Sequence, residues 1–438
     1  MALTHKRDYG WWLGATTTDM LGRSSQNLAL PFIIVGVTGS TAVAGNIQTL
    51  GLIARLSVIL LGGVLIDRMD RRHAMYLRGT IGAVLWGILA VLIMLDIVPL
   101  WGIAAIVLLV SISDGLFGLA DNVALRSIMR DPKEYVQARG MSQARDAVVQ
   151  VSGEPIGGLL YNLGKSVPFF FASACLAFMT FCAHMIRADL RPRPADEEKE
   201  NPEGATATDT AAGAGGTGNS STEGGETSRH PIRAALADTV FGFRYLFGEP
   251  RLRRLVIANT FIGSGMAAVI CAVNFHLISL EYTPLQISLL SVLYAVMMML
   301  GAMLASRLSP RLPGGKTIAL AVLGMTGIST LAVFFHDYSQ LLFFLGIYGL
   351  FTPFIGTMLG GYTFSIIPTE LQGRTSSAAS ILEYGLTAFM PLITGNLVYG
   401  GNPQLAFSIG VVLNGFAFLL LLNRHVLSIG TPSTWEVA

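Results

Sequence analysis

Of the ionisable side chains inside long apolar stretches of the sequence, six stand out as deeply placed: Asp19, Arg23, Arg55, Asp114, Glu154 and Glu383. A charge in a lipid-spanning helix costs several kcal/mol, so such residues face a cavity or a partner and are candidates for holding substrate or protons. Asp19 and Arg23 stand four residues apart, on one helical face, where they can pair. That pair is either structural or part of substrate and proton handling. Arg55 and Asp114 sit near the middles of their stretches and either neutralise each other or serve the site. Glu154 has no basic residue one turn away in the sequence, which makes it a candidate proton carrier. Glu383 either lines a cavity wall or serves a gate. Asp121, two turns beyond Asp114, reads with Arg126 as part of a charge network at the end of its span. His276 reads as a satisfied interfacial histidine. The deep charge is concentrated in the first half of the chain.

These residues need elements that can carry them through an apolar phase. The chain has 438 residues, of which 52% are hydrophobic and 13% charged. The charged share is roughly half that of a soluble domain, which excludes a soluble fold; disorder, collagen and coiled coil would need polar or repetitive sequence. An all-α integral membrane protein remains. A membrane helix takes roughly 20 apolar residues, and twelve such spans can be read: 11–36, 43–66, 74–95, 100–125, 142–162, 168–187, 254–278, 285–306, 317–336, 339–364, 376–398 and 404–425. The runs are continuous rather than alternating, which excludes a β-barrel. The first span is long and polar-speckled, without the cleavage site of a signal peptide. A net charge of +2 gives no case for a nucleic-acid partner. Cys175, Cys182 and Cys271 read as small buried hydrophobes. No phosphate-binding glycine loop, nucleophile elbow or metal-ligand spacing is present, so neither enzyme activity, cofactor nor metal is expected.

Lys and Arg distribution sets the expected orientation. One set of connections carries Lys6, Arg7, Arg68, Arg71, Arg72, Arg78, Arg130, Lys133, Arg139, Arg307, Arg311, Lys316, Arg374 and Arg424; the opposite set carries only Lys165. With an even number of spans, both termini are expected on the cytoplasmic side of the inner membrane. Residues 188–230, with Asp-Glu-Glu-Lys-Glu at 196–200 and then a tract of Ala, Thr, Gly and Ser, read as a disordered cytoplasmic linker. In 231–253, Ile232, Leu236, Val240, Phe243 and Phe247 recur at helical spacing among Arg233, Arg244, Arg251 and Arg253. This pattern predicts an amphipathic helix on the inner leaflet. The expected domains are therefore 1–187, the linker 188–230, the amphipathic helix 231–253 and 254–438, with six spans on each side of the linker.

The connection between spans 2 and 3 contains Gly62-Gly63, Asp67-Arg68 and Arg71-Arg72. It resembles the signature loop of the major facilitator superfamily, with Asp70 where that family usually has Gly. The resemblance, with twelve spans and a central loop, covers almost the whole chain. It implies two six-helix bundles around a substrate cavity, acting as a monomer in the lipid bilayer. It also implies a conformational latch built from Gly63, Asp67, Arg68, Arg71 and Arg72, with Asp121 and Arg126 nearby; the competing reading of the basic residues is plain topology. In span 5, Gly153, Pro155, Gly157 and Gly158 resemble the Gly-Pro-x-x-Gly-Gly element of antiporter members, with Glu154 in place of a glycine. Small residues there would let helices approach closely. Ala29-Leu30-Pro31 and Gly242-Phe243-Arg244-Tyr245-Leu246 resemble the macrolide-efflux and enterobactin-exporter branch. The implied function is proton-coupled efflux of a small organic molecule, either a drug-like amphiphile or a siderophore-like anion. Asp19 or Glu154 would carry the proton while Arg23 and Arg55 tune them or meet anionic groups. The alternatives are uptake or uniport of a nutrient or metal ion, and a non-transporting sensor or scaffold. Met297–Met299 and the Phe-rich span 10 read as core or lipid-facing.

Overall fold

The computed structural model describes residues 2–66, 68–129, 132–188, 190, 231–368 and 371–435. The expected linker therefore lies, from 191 to 230, outside the described residues, as does Asp67. Among the described residues the secondary structure is helical throughout, with no strand. Among the described residues, ten helical segments are long and apolar enough to cross a membrane by length and composition. The expected spans 11–36 and 142–162 fall on helices that are long enough but crowded with polar and charged residues. Even the apolar spans bury only 22–56% of their most apolar windows. Large side chains such as Leu320, Phe334 and Val412 are therefore left outward, a surface that suits lipid rather than water.

The chain divides into two compact units, one of 1–38 and 50–210, the other of 39–49 and 211–438. The first contains α1 (Ala2–Thr38), most of α2 (Thr41–Ile66), α3 (Arg71–Met94), α4 (Leu100–Phe117), α5 (Ala120–Ile128), α6 (Pro132–Leu163) and α7 (Val167–Met185). Expected span 4 is thus two helices, interrupted at Gly118–Leu119. Asp70, the departure from the signature loop, caps α3 by accepting a bond from the Arg72 backbone N–H at 3.0 Å. Gly153 and Gly157 of α6 face Ser24 and Ser25 of α1, and a Cβ on Gly157 would stand 2.8 Å from the Ser25 Cα. Small side chains there allow α6 to lie directly on α1.

The second unit contains α8 (Pro231–Gly248), α9 (Pro250–Ser279), α10 (Pro284–Leu308), α11 (Gly314–Phe334) and α12 (Tyr338–Ile355). A π-turn (Gly356–Gly360), α13 (Gly361–Ile366), α14 (Gln372–Thr387), α15 (Met390–Tyr399), α16 (Pro403–Leu421) and α17 (Arg424–Leu427) complete it. The expected amphipathic segment is α8 with the first turn of α9. In it Leu246 and Leu252 are buried while Val240, Phe241 and Phe247 are exposed. The first turns of α2 also belong to this second unit, which moves 39–49 out of the expected first domain. The reason is local chemistry: the Thr41 hydroxyl donates to the Gly395 carbonyl at 3.0 Å, and the Leu392 N–H donates to the Thr49 hydroxyl at 3.0 Å. Gly45 between them faces the Pro391 carbonyl with no room for a Cβ.

Candidate functional site

The site is organised by Arg78, about two turns inside α3 and only 3% exposed. The sequence placed it among the basic residues of a loop; in the fold it is the buried centre of an ion network. Its Nη2 donates to Asp19 of α1, its Nε to Asp114 of α4 at 3.0 Å, and its Nη1 to Asp121 of α5. The three nitrogens of one planar fork thus serve three helices, a geometry available to Arg and not to Lys. Arg78 fits there because Ala74, Met75, Gly79 and Gly82 on the same helix are small or buried. Gly79 and Gly82 face Thr180 and Leu176 of α7 with no space for a side chain.

The expected Asp19–Arg23 pair forms, with Arg23 Nε 3.1 Å from both carboxylate oxygens of Asp19. Arg23 also reaches Asp114 through Nη2 at 2.7 Å. Among the described residues the ion pairs of Asp114, at 2.7 and 3.0 Å, go to Arg23 and Arg78; pairing with Arg55, one of the two sequence readings, is not among them. Pairing across helices is decided by packing, which run positions do not report. Arg55 is exposed along α2. Asp121 joins Arg78, and the side chain of its expected partner, Arg126, lies outside the described residues.

Below this network opens a cavity of about 250 Å³. It is lined by Asp19, Met20, Arg23, Arg55, Arg78 and Asp121, together with Trp12, Thr16, Arg139, Ser142, Arg145 and Asp146. Arg145 is a residue that sequence reasoning missed. Its guanidinium donates to the Thr16 and Thr17 hydroxyls at 2.5 and 3.3 Å, pairs with Asp146 at 2.6 Å and stands 5.9 Å over the Trp12 ring. The available signal was Arg145-Asp146 inside a run already read as membrane-spanning. Arg139, assigned to a loop, lines the wall as well. Five guanidiniums therefore face three carboxylates, and the wall carries excess positive charge.

The other expected site residues lie elsewhere. Glu154 is half-buried in α6 and does not line this cavity. Glu383 of α14, in the second unit, accepts a bond from the Asn259 amide at 3.1 Å and packs on Gly263 of α9. Of the expected latch, Arg71 ties three segments together: its Nη1 donates to Ser127 Oγ at 3.0 Å and to the Leu190 carbonyl at 3.4 Å. Arg68 is exposed and Gly63 has open space beside it. Gly158 and Pro155 lie in the α6 segment that faces α1.

Comparison with known proteins gives these residues a family. No curated protein sequence matches the chain. Its fold is similar to that of a variant of the nucleoside transporter NupG, at 11% identity and a TM-score of 0.69, covering 95% of this chain and 100% of that one. It is equally similar to an inward-facing bacterial homologue of the iron transporter ferroportin, at 12% identity and a TM-score of 0.69, covering 96% and 99%. The human organic anion transporter MFSD10 (TETRAN) follows at 15% identity and a TM-score of 0.59, covering 95% and 99%. At such identities the likeness speaks for the fold alone. The sequence model of the Major Facilitator Superfamily matches residues 12–281, more than half of the chain and all of the charged network. The chain belongs to the Major Facilitator Superfamily and is a multi-pass membrane transporter with that superfamily's fold.

Proposed function

We propose that the chain is a proton-coupled transporter of a small organic anion, bound in the cavity beside Asp19 and Arg78. The observation that carries this reading is the excess of guanidiniums over carboxylates on the cavity wall. Arginine forks are the side chains best matched to carboxylate, phosphate or catecholate oxygens. One protein of similar fold is an organic anion transporter, which agrees with it; the nucleoside and iron carriers of the same fold do not discriminate.

Coupling follows from Arg23, which is shared between Asp19 and Asp114. In the network of Asp19, Asp114, Asp121, Arg23 and Arg78, three carboxylates meet two guanidiniums, so one proton would neutralise the set. A proton on Asp19 loosens Arg23 and frees it for the anion; an anion on Arg23 leaves Asp19 short of positive charge and favours the proton. Linkage is reciprocal, so proton and anion load together. Under an inward proton gradient this brings the anion inward. The second reading is efflux by exchange, as in the macrolide and enterobactin exporters that the sequence resembles. It requires a substrate group that competes with the proton for Asp19, and is favoured by the Trp12 ring, Met20 and the Asp146 carboxylate, which suit a cationic amphiphile. The charge bias of the connections supports cytoplasmic termini in the inner membrane.

The test is flux in proteoliposomes carrying an imposed pH gradient, with a panel of organic anions and cationic amphiphiles. Asp19→Asn is expected to abolish proton coupling, and Glu154→Gln to retain it. Proton-coupled flux unaltered by Asp19→Asn refutes the assignment of Asp19. Anion flux that runs against the proton instead of with it selects exchange.

A further inference from the structure

Two histidines of the second unit meet where α9 and α11 end. His276, near the end of α9, is 5% exposed; His336, two residues beyond α11, is half-buried. Their ring centroids lie 5.2 Å apart with planes at 70°. Phe407 of α16 flanks both, at 5.8 and 6.3 Å. Among the described residues, Nε2 of His276 and Nδ1 of His336 are buried and have no hydrogen-bond partner. A buried polar atom left unsatisfied is costly, and two in one place call for a shared partner. The sequence reads His276 as a satisfied interfacial residue; among the described residues its Nε2 has no hydrogen-bond partner.

We propose that His276 and His336 form a two-histidine site for a borderline divalent cation such as Zn²⁺. A neutral imidazole presents one unprotonated nitrogen, the commonest protein ligand for such ions. Two imidazoles bound to one tetrahedral ion at about 2.1 Å have ring centres roughly 5 Å apart, which is the separation found here. Nitrogen donors select Zn²⁺, Ni²⁺ or Cu²⁺ over Mg²⁺ and Ca²⁺. The remaining ligands are waters entering from the half-open His336 side, and the Asp337 carboxylate, which acts electrostatically on His276, lowers the cost of the incoming charge. With two protein ligands in place of the four of a structural zinc site, binding is reversible. The ion ties the end of α9 to the α11–α12 connection and does not depend on what the cavity carries.

Zn²⁺ titrated calorimetrically into tag-free full-length protein in micelles tests the site, with His276→Phe and His336→Phe keeping the ring volume. Wild type is expected to bind one ion per chain, and each variant to bind it at least about tenfold more weakly. Wild type that takes up no Zn²⁺ at about 1 mM, or affinity unchanged in both variants, overturns the proposal. Should a variant fail to fold, Cu²⁺ on wild type alone decides by electron paramagnetic resonance. Coupling to two nitrogens supports the site, and its absence refutes it.

Discussion

Replacing Arg78 by Met is the most discriminating perturbation of the charged network. The guanidinium is 3% exposed and holds Asp19, Asp114 and Asp121 on three different helices. After its removal Asp19 and Asp114 keep Arg23. Asp121 loses the donor on Oδ2, while its Oδ1 already lacks a hydrogen-bond partner among the described residues. Stranding one buried charge costs about 3–5 kcal/mol. A bundle of this size loses about 2–4 °C of Tm per kcal/mol, so the expected fall is roughly 6–20 °C, read by the melting of intrinsic fluorescence in micelles. Arg78→Lys should recover only part of it, because one ammonium replaces a fork whose separate nitrogens reach α1, α4 and α5. Adding Asp121→Asn to Arg78→Met should return about 1–3 kcal/mol, since the stranded charge is gone. If Arg78→Met melts within about 2 °C of wild type, or Arg78→Lys matches wild type, the network does not hold these helices together.

Three further outcomes follow from the same structure. Arg145→Gln keeps the bonding to Thr16 in part but removes the charge over Trp12; the KM for a transported anion should rise about tenfold with kcat little changed. Gly157→Leu forces a side chain into Ser25 of α1 and should destabilise by more than the ~1–3 kcal/mol of ordinary overpacking, whereas Gly140→Ala, with open space around it, should melt no lower than wild type. With Cys175, Cys182 and Cys271 replaced, a cysteine at Asn402 should react with an impermeant maleimide only from outside the cell. One at Ser433 should react only in inverted vesicles, and the reverse pattern would invert the topology.

What the amino-acid sequence determined by itself is whatever depends on near neighbours along the chain. Apolar stretches of about 20 residues dictate membrane helices because the backbone must satisfy itself in lipid. The Asp19–Arg23 pair was legible because a four-residue spacing fixes a shared face. The glycines of α6 announced a close helix crossing, though not that Ser24 and Ser25 would be the surface opposite. The matching of ions across helices was not legible. The only partner that sequence offered Asp114 was Arg55, and it took the packing of α1, α3 and α4 to bring Arg23 and Arg78 to it. Arg78 looked like one more basic residue near a loop, since hydropathy cannot tell a guanidinium at the edge of a span from one turned inward on three carboxylates. The same holds for Arg139 and Arg145, and for His276 and His336, which are sixty residues apart in sequence. Lipid solvation selects helices locally, but a buried charge is stabilised only by the partner that folding delivers, and that partner belongs to the tertiary structure.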